Sequence, residues 1–234
     1  MGKVALWGAN GAIGQSIAGA LRAQSRDYRV VGRSREALER TFGADPRAEI
    51  VTWNPEDPAS ARAAARDVES IVYLVGVDYT RFELHPIIMQ ATLDAAVATG
   101  VAKMLLIGTV YPYGRAQTAT VREDHPRAPH TFKGRMRKNQ EDLLLDADRA
   151  GRIRGTVLRL PDFYGPGVDK SIIGEVFTAG IAGKTANVIG PIDVRHEFVY
   201  VPDVGPVVVR LIDESRALGA FGTLPVPARR PSAK

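Results

Sequence analysis

Three glycines, Gly8, Gly11 and Gly14, follow the short apolar run Val4-Ala5-Leu6-Trp7 and lead into Ile13, Ile17 and Leu21 at helical spacing. The pattern is strand, tight turn, helix. Glycine at these positions lets backbone N–H groups approach a pyrophosphate, and the helix N-terminus adds about half a positive charge. After the polar break Gln24-Ser25-Arg26-Asp27, a second apolar run at Val30-Val31 completes a βαβ unit ending at Gly32-Arg33-Ser34, with Arg33 19 residues after Gly14. An acidic side chain at that strand end would accept from the adenosine ribose hydroxyls, whereas an arginine favours a 2′-phosphate. Arg33 therefore points to NADP, with NAD as the alternative; the competing explanation is one more solvated arginine in an arginine-rich chain. Gly8, Asn10, Gly11, Ala12, Ile13 and Gly14, with Arg33 and with Asn54 after the third strand, are the expected cofactor-binding residues.

A second chemical feature is the run Lys133-Gly134-Arg135-Met136-Arg137-Lys138 at a helix start. Four cations there oppose the helix dipole and one another, at a few tenths of a kcal/mol each. They are either a solvated basic face or the receptor of an anionic group, a cofactor phosphate or an acidic substrate. A desolvated Lys133 could also serve as a base.

The elements that must position these residues alternate strand and helix. Helices are expected at 35–42, 59–66, 86–99 and 133–150, and strands at 48–53, 70–75, 104–107 and 155–160; on the 86–99 helix Ile87, Ala91 and Ala95 fall in register. The near-continuous run Ser70-Ile71-Val72-Tyr73-Leu74-Val75 is that of a strand covered on both faces. The expected fold is α/β, a doubly wound parallel sheet (Rossmann), spanning residues 1–216. Substrate-side elements are expected within about 161–200: a helix over 171–183, a short strand near Asn187-Val188-Ile189, then a strand at 198–201 and a helix from 202 to 213. Residues 217–234, Pro-rich and without periodicity, are expected to be disordered.

Composition narrows the class. The 234 residues are 45% apolar and 24% charged, and contain no cysteine, which excludes disulfides and thiolate metal sites. The net charge of +5 is scattered among acids without an aromatic-interleaved basic stripe, so no nucleic-acid partner is expected. The four histidines, at 85, 125, 130 and 196, lack metal-ligand spacing and are expected on the surface or in loops; no metal is expected. The first strand begins at residue 3 and no apolar run approaches the roughly 20 residues of a membrane span. A cytoplasmic location without signal peptide or membrane partner is the corresponding expectation.

With these elements in place, the chain resembles the extended short-chain dehydrogenase/reductase family of the NAD-dependent epimerase/dehydratase type over about residues 3–213. Gly8 to Gly14, GANGAIG, looks like the family's GxxGxxG. Ile107-Gly108-Thr109-Val110-Tyr111-Pro112-Tyr113-Gly114 is similar to its strand end and Val-Tyr-Gly turn, which implies a catalytic hydroxyl at Thr109. The run from Leu158 to Gly167 resembles its arginine-led strand and YGPG turn, and the run from His196 to Val204 its late substrate-side motif, with Asp203 retained. The family's Tyr-xxx-Lys pair is absent: counting back from Glu141 puts Lys133 at the tyrosine position and Arg137 at the lysine position, and a lysine beside an arginine cannot reproduce a phenolate.

The resemblance implies an NAD(P)-dependent oxidoreductase or epimerase/dehydratase-like enzyme acting on a small carbonyl or sugar-type substrate. Thr109, Lys133 and Arg137 are then the candidate catalytic residues, and Tyr111, Tyr113 and Tyr164 further proton donors among which the sequence does not select. The alternative is a catalytically impaired NADP-binding sensor or scaffold. Extended members continue beyond the Asp203 motif with a substrate lid. Its absence implies an incomplete substrate side, with apolar surface around 164–168 and Ile172-Ile173 exposed or covered by a second copy in a homodimer.

Overall fold

The computed structural model describes residues 2–168, 171–188, 190 and 193–214. Six parallel strands, β1 (Val4–Trp7), β2 (Tyr28–Gly32), β3 (Ala48–Thr52), β4 (Ser70–Tyr73), β5 (Lys103–Thr109) and β6 (Arg154–Leu160), form one sheet in the order β3-β2-β1-β4-β5-β6. The order reverses between β1 and β4, and a crevice is expected outside the carboxyl ends of the strands there.

The period-2 alternation of buried strands feeds two cores. Ala5, Trp7, Tyr73, Leu106 and Val157 face one side, against α3 (Pro58–Ala65), α4 (Leu84–Ala98) and α5 (Phe132–Arg149). Val4, Leu6, Val30, Val72 and Leu158 face the other, against α1 (Ala12–Ala23), α2 (Arg35–Phe42) and α7 (Val201–Glu214). The doubly covered parallel sheet is the architecture expected from the alternating apolar runs.

Helix α7 carries an internal proline, Pro206, which cannot donate to the carbonyl one turn earlier, that of Pro202. Ser16 of α1 compensates: its Oγ donates to the Val201 carbonyl at 2.8 Å with the Pro202 carbonyl at 3.4 Å, and accepts from the Gly205 N–H at 3.0 Å. A Cβ on Gly205 would overlap the Ser16 carbonyl, so the two helices touch backbone to backbone.

Three expectations are corrected. Residues 187 and 188 form no strand; the second, two-stranded sheet is instead β7 (Asp162–Tyr164) paired in parallel with β8 (Phe198–Tyr200), and Ile189 lies outside the described residues. The helix of the substrate side is shorter than expected, α6 (Gly174–Ile181). On α4 the buried residues are His85, Ile88, Met89, Thr92, Leu93, Ala95 and Ala96; Ala95 is buried as expected, whereas Ile87 is 60% exposed. His85 is accordingly buried in a helix, held by Arg137, whereas His125 lies in a loop as expected, though buried, with its Nε2 accepting from the Gln117 N–H at 3.3 Å. The expected disordered stretch 217–234 lies outside the described residues.

Candidate active site

The glycine turn joins β1 to α1 at the sheet's crevice. Gly8 takes φ +92°, which a side chain would strain, and a Cβ there would press on the Val75 backbone at 2.9 Å; its N–H donates to the Val31 carbonyl at 2.8 Å. A Cβ on Gly14 would overlap the Ala9 carbonyl, so that glycine lets the helix pack against the turn. Gly11 differs: a Cβ there would meet nothing within 4 Å, because the residue opens on a cavity. As N-cap, Gly11 offers no capping side chain, and the first backbone bond of α1 runs from Gln15 N–H to the Gly11 carbonyl, 3.0 Å. The N–H groups of Ala12, Ile13 and Gly14 are left ahead of it, with no acid in the first turn. A helix end without a side-chain cap that faces open space fits the pyrophosphate of a dinucleotide.

The space divides into two lobes that share Gly8, Val75 and Gly76. One, of about 380 Å³, is bounded by Asn10, Arg33, Trp53, Val77 and Arg81. Arg33 is exposed at its edge and makes no hydrogen bond or ion pair with the other described residues, whereas Arg81 is paired with Glu83. Trp53 closes the floor edge-on to Trp7, ring centroids 5.1 Å apart. Asn54 does not bound this lobe. Its Oδ1 accepts from the Glu56 N–H at 3.1 Å, which turns the side chain into its own loop.

The other lobe, of about 300 Å³, is bounded by Gly11, Ile13, Thr109, Tyr111, Arg137 and Asp162. Thr109 ends β5, and its Oγ1 accepts from the Tyr111 N–H at 3.3 Å. Tyr111 follows in a 3₁₀ turn, Tyr111–Tyr113, and its hydroxyl lies 3.3 Å from that of Tyr79 in the loop between β4 and α4. Asp162, at the start of β7, is hydrogen bonded to His196 Nε2 at 2.7 Å. Of the other tyrosines, Tyr113 is buried and accepts from Arg159 at 3.0 Å, and Tyr164 is stacked on Phe177; neither bounds the lobe. The structure thus brings Thr109, Tyr111 and Arg137 together.

Lys133 stands one layer behind. Its Nζ lies 3.0 Å from the Tyr79 ring centroid and 5.1 Å from that of Phe82, a cation on aromatic faces. The hydrogen bond from Tyr111 and the positive charge of Lys133 pull the Tyr79 phenol below its usual value. The same hydrogen bond, together with burial, pushes Tyr111 up to about 12. Of the two, Tyr111 holds its proton and Tyr79 ionises more readily.

Arg137 sits deeper in the wall. Its Nη1 donates to Gln140 Oε1 at 2.7 Å and to His85 Nδ1 at 3.1 Å. Burial, reinforced by the Arg137 charge, depresses His85 to about 3, so this imidazole is neutral. Next along α5, buried Glu141 is held by Arg159, with Nη2 to Oε2 at 2.7 Å, and by Arg127 at 3.2 Å. This network ties α5 to β6 beside Gly108, whose missing Cβ leaves room for the carboxylate.

Tyr79, His85 and Asp162 are the residues that sequence reasoning left without a role. Tyr79 lies in a loop without periodicity and carried no signal. His85 had one: it continues the row Ile88, Met89, Thr92 and Ala96 at helical spacing. Among the described residues no group of three or more His, Asp or Glu side chains could hold a metal, and no helix is long and apolar enough to cross a membrane.

The chain is 27% identical over 216 residues to dTDP-6-deoxy-L-talose 4-dehydrogenase (NAD(P)(+)) of Kitasatospora kifunensis, covering 86% of this chain and 67% of that protein. Among solved structures it is similar to UDP-N-acetylglucosamine 4-epimerase from Bacillus cereus, with a TM-score of 0.81 at 16% identity over 96% of this chain and 75% of the other. It is likewise similar to dTDP-glucose 4,6-dehydratase from Streptomyces venezuelae with NAD bound, with a TM-score of 0.79 at 20% identity over 95% and 76% of the two chains. The sequence model of the NAD dependent epimerase/dehydratase family matches residues 4–224, nearly the whole chain, and the protein belongs to that family.

Proposed function

We propose that the protein is an NADP-dependent oxidoreductase of the epimerase/dehydratase type acting on a small sugar-type or carbonyl substrate. The observation that carries this is the two-lobed cavity, with the uncapped α1 N-terminus lining the smaller lobe beside Thr109 and Tyr111, and unpaired Arg33 at the edge of the other. The N–H groups of Ala12 to Gly14 hold the cofactor pyrophosphate and Arg33 takes the 2′-phosphate. A nicotinamide cofactor, held by these groups, would supply or accept the hydride. Thr109 Oγ1 orients the substrate oxygen. In the reducing direction Tyr111 gives that oxygen a proton and is reloaded from Tyr79 across the 3.3 Å hydroxyl contact; Lys133 stabilises the phenolate left on Tyr79. The dehydrogenase, epimerase and dehydratase relatives support the reaction class.

A second reading, an NADP-binding sensor without turnover, is favoured by one observation: positions 133 and 137 hold Lys and Arg, so α5 carries no Tyr-xxx-Lys pair for proton transfer. A hydride-transfer screen with NADPH against aldehydes, ketones, sugar acids and nucleotide sugars separates the two. Turnover that falls about 100-fold or more in Tyr111→Phe and in Thr109→Val supports the enzyme, since a positioned proton donor contributes roughly 10²–10⁴-fold. No turnover with any substrate, alongside tight NADP binding, supports the sensor.

A further inference from the structure

Among the described residues Arg137 has no ion-pair partner. Both hydrogen bonds of its guanidinium use Nη1, and both acceptors, Gln140 Oε1 and the neutral His85 Nδ1, are uncharged. The Nε–Nη2 edge meets no acceptor among the described residues, yet the side chain bounds the smaller lobe of the cavity beside Thr109 and Tyr111. That edge is the fork that a carboxylate accepts from bidentately. The nearby acids make no ion pair with it. Glu141 is committed to Arg159 and Arg127 and Asp142 to Arg127 and Lys138, while Asp162, hydrogen bonded to His196, bounds the lobe without touching the guanidinium. The six side chains Arg127, Arg137, Lys138, Arg159, Glu141 and Asp142 together carry a net charge of +2. A guanidinium removed from water with no opposite charge is costly, and an anion delivered by a ligand relieves that cost.

We propose that Arg137 is the anchor of a substrate carboxylate, so that the natural substrate is a sugar acid or a small oxo or hydroxy acid whose reacting carbon lies next to the acid group. Resting on the assignment of this cavity as the reaction site, it adds the charge of the substrate. Nη1, fixed by Gln140 and His85, holds the guanidinium plane. The free edge then presents two parallel donors to the carboxylate while Thr109 and Tyr111 address the neighbouring oxygen. Lysine at this position would offer a point charge without the fork.

The test is calorimetric titration of D-glucuronate and oxalate into the NADP⁺-saturated protein, with neutral D-glucose as the uncharged probe, at constant ionic strength. Both anions are expected to bind and D-glucose to bind much more weakly. Arg137→Met is expected to weaken the anions about tenfold or more while NADP⁺ affinity is retained, and Arg137→Lys to recover part of the loss. Equal anion affinities in the parent and Arg137→Met, with NADP⁺ still bound, overturn the proposal. A loss of NADP⁺ affinity as large as the loss of anion affinity, in a variant whose melting is unchanged, also overturns it, because Arg137 is then a ligand of a cofactor phosphate. If the parent binds no NADP⁺, the cofactor assignment fails by itself, and the same contrast between parent and Arg137→Met on the free protein still decides the carboxylate anchor.

Discussion

Replacing Glu141 by alanine removes the carboxylate on which the end of β6 and the middle of α5 are joined. Glu141 is 1% exposed and receives the Arg159 side chain through Nε at 3.0 and 3.1 Å and Nη2 at 2.7 Å, with Arg127 Nη1 at 3.2 Å. Arg127 keeps Asp142 at 2.7 Å, so most of the cost falls on Arg159, whose side chain is 7% exposed. Removing one partner of a buried pair costs about 3–5 kcal/mol, because the remaining charge stays desolvated. For a chain of this size, about 2–4 °C of Tm per kcal/mol gives a fall of roughly 6–20 °C. Thermal unfolding followed by circular dichroism measures it. The double variant Glu141→Leu with Arg159→Met, which removes both charges, is expected to recover most of the loss. A Glu141→Ala protein that melts within about a degree of the parent, or a double variant no better than the single one, refutes this account of how α5 is held.

Stability should fall as the pH drops below 6.5 because of His85. Its folded pKa, about 3, lies below the unfolded value, so between these pH values the unfolded chain binds a proton that the folded one does not, and stability is lost at up to about 1.4 kcal/mol per pH unit. Urea titrations at pH 6.5 and 5.0 should show the slope in the parent and not in His85→Gln; an unchanged slope in the variant removes His85 as its source. Lys133→Tyr combined with Arg137→Lys should bring a phenol to α5 and raise reductase activity on neutral carbonyls in the hydride screen; no gain in a variant that still binds NADP⁺ shows that α5 no longer holds that geometry. Ile172, Phe177 and Ile181 are exposed on and beside α6, Ile181 at 90%, and are expected to be covered by a second copy. Sedimentation should show a dimer that Ile181→Lys dissociates, and a parent that sediments as a monomer at all concentrations contradicts it.

The parts of the site that were legible in the sequence are those written locally. The glycine turn is read from β1, three glycines and a helix within a dozen residues, and Thr109 from the strand end that carries it. Counting back from Glu141 singled out Arg137, which bounds the smaller lobe, and Lys133, which lies behind it on Tyr79. What was not legible depends on chain segments that meet only in three dimensions. Tyr79 acquires its role from Tyr111 and Lys133, both far along the chain, and nothing in Val77-Asp78-Tyr79-Thr80 marks it. Strand β8 was expected at 198–201, but its pairing with β7 across the intervening α6 was not, because β7 is three residues long, too short for a period to show. The buried face of α4 was misjudged because its apolar residues, Ile87, Ile88, Met89 and Leu93, lie on more than one side, so only packing against the sheet selects the face that includes His85.

Binding of NADP by the α1 N-terminus and Arg33 is tested by calorimetric titration of NADP⁺ and NAD⁺ into the parent and Arg33→Asp proteins. Arg33 contributes a charge-assisted contact to the 2′-phosphate of about 1.5–3 kcal/mol, so NADP⁺ should bind roughly 10–100-fold more tightly than NAD⁺. Arg33→Asp should abolish that preference while leaving NAD⁺ affinity within a few-fold. Equal affinities in the parent contradict the role of Arg33, and no heat with either nucleotide contradicts the site itself.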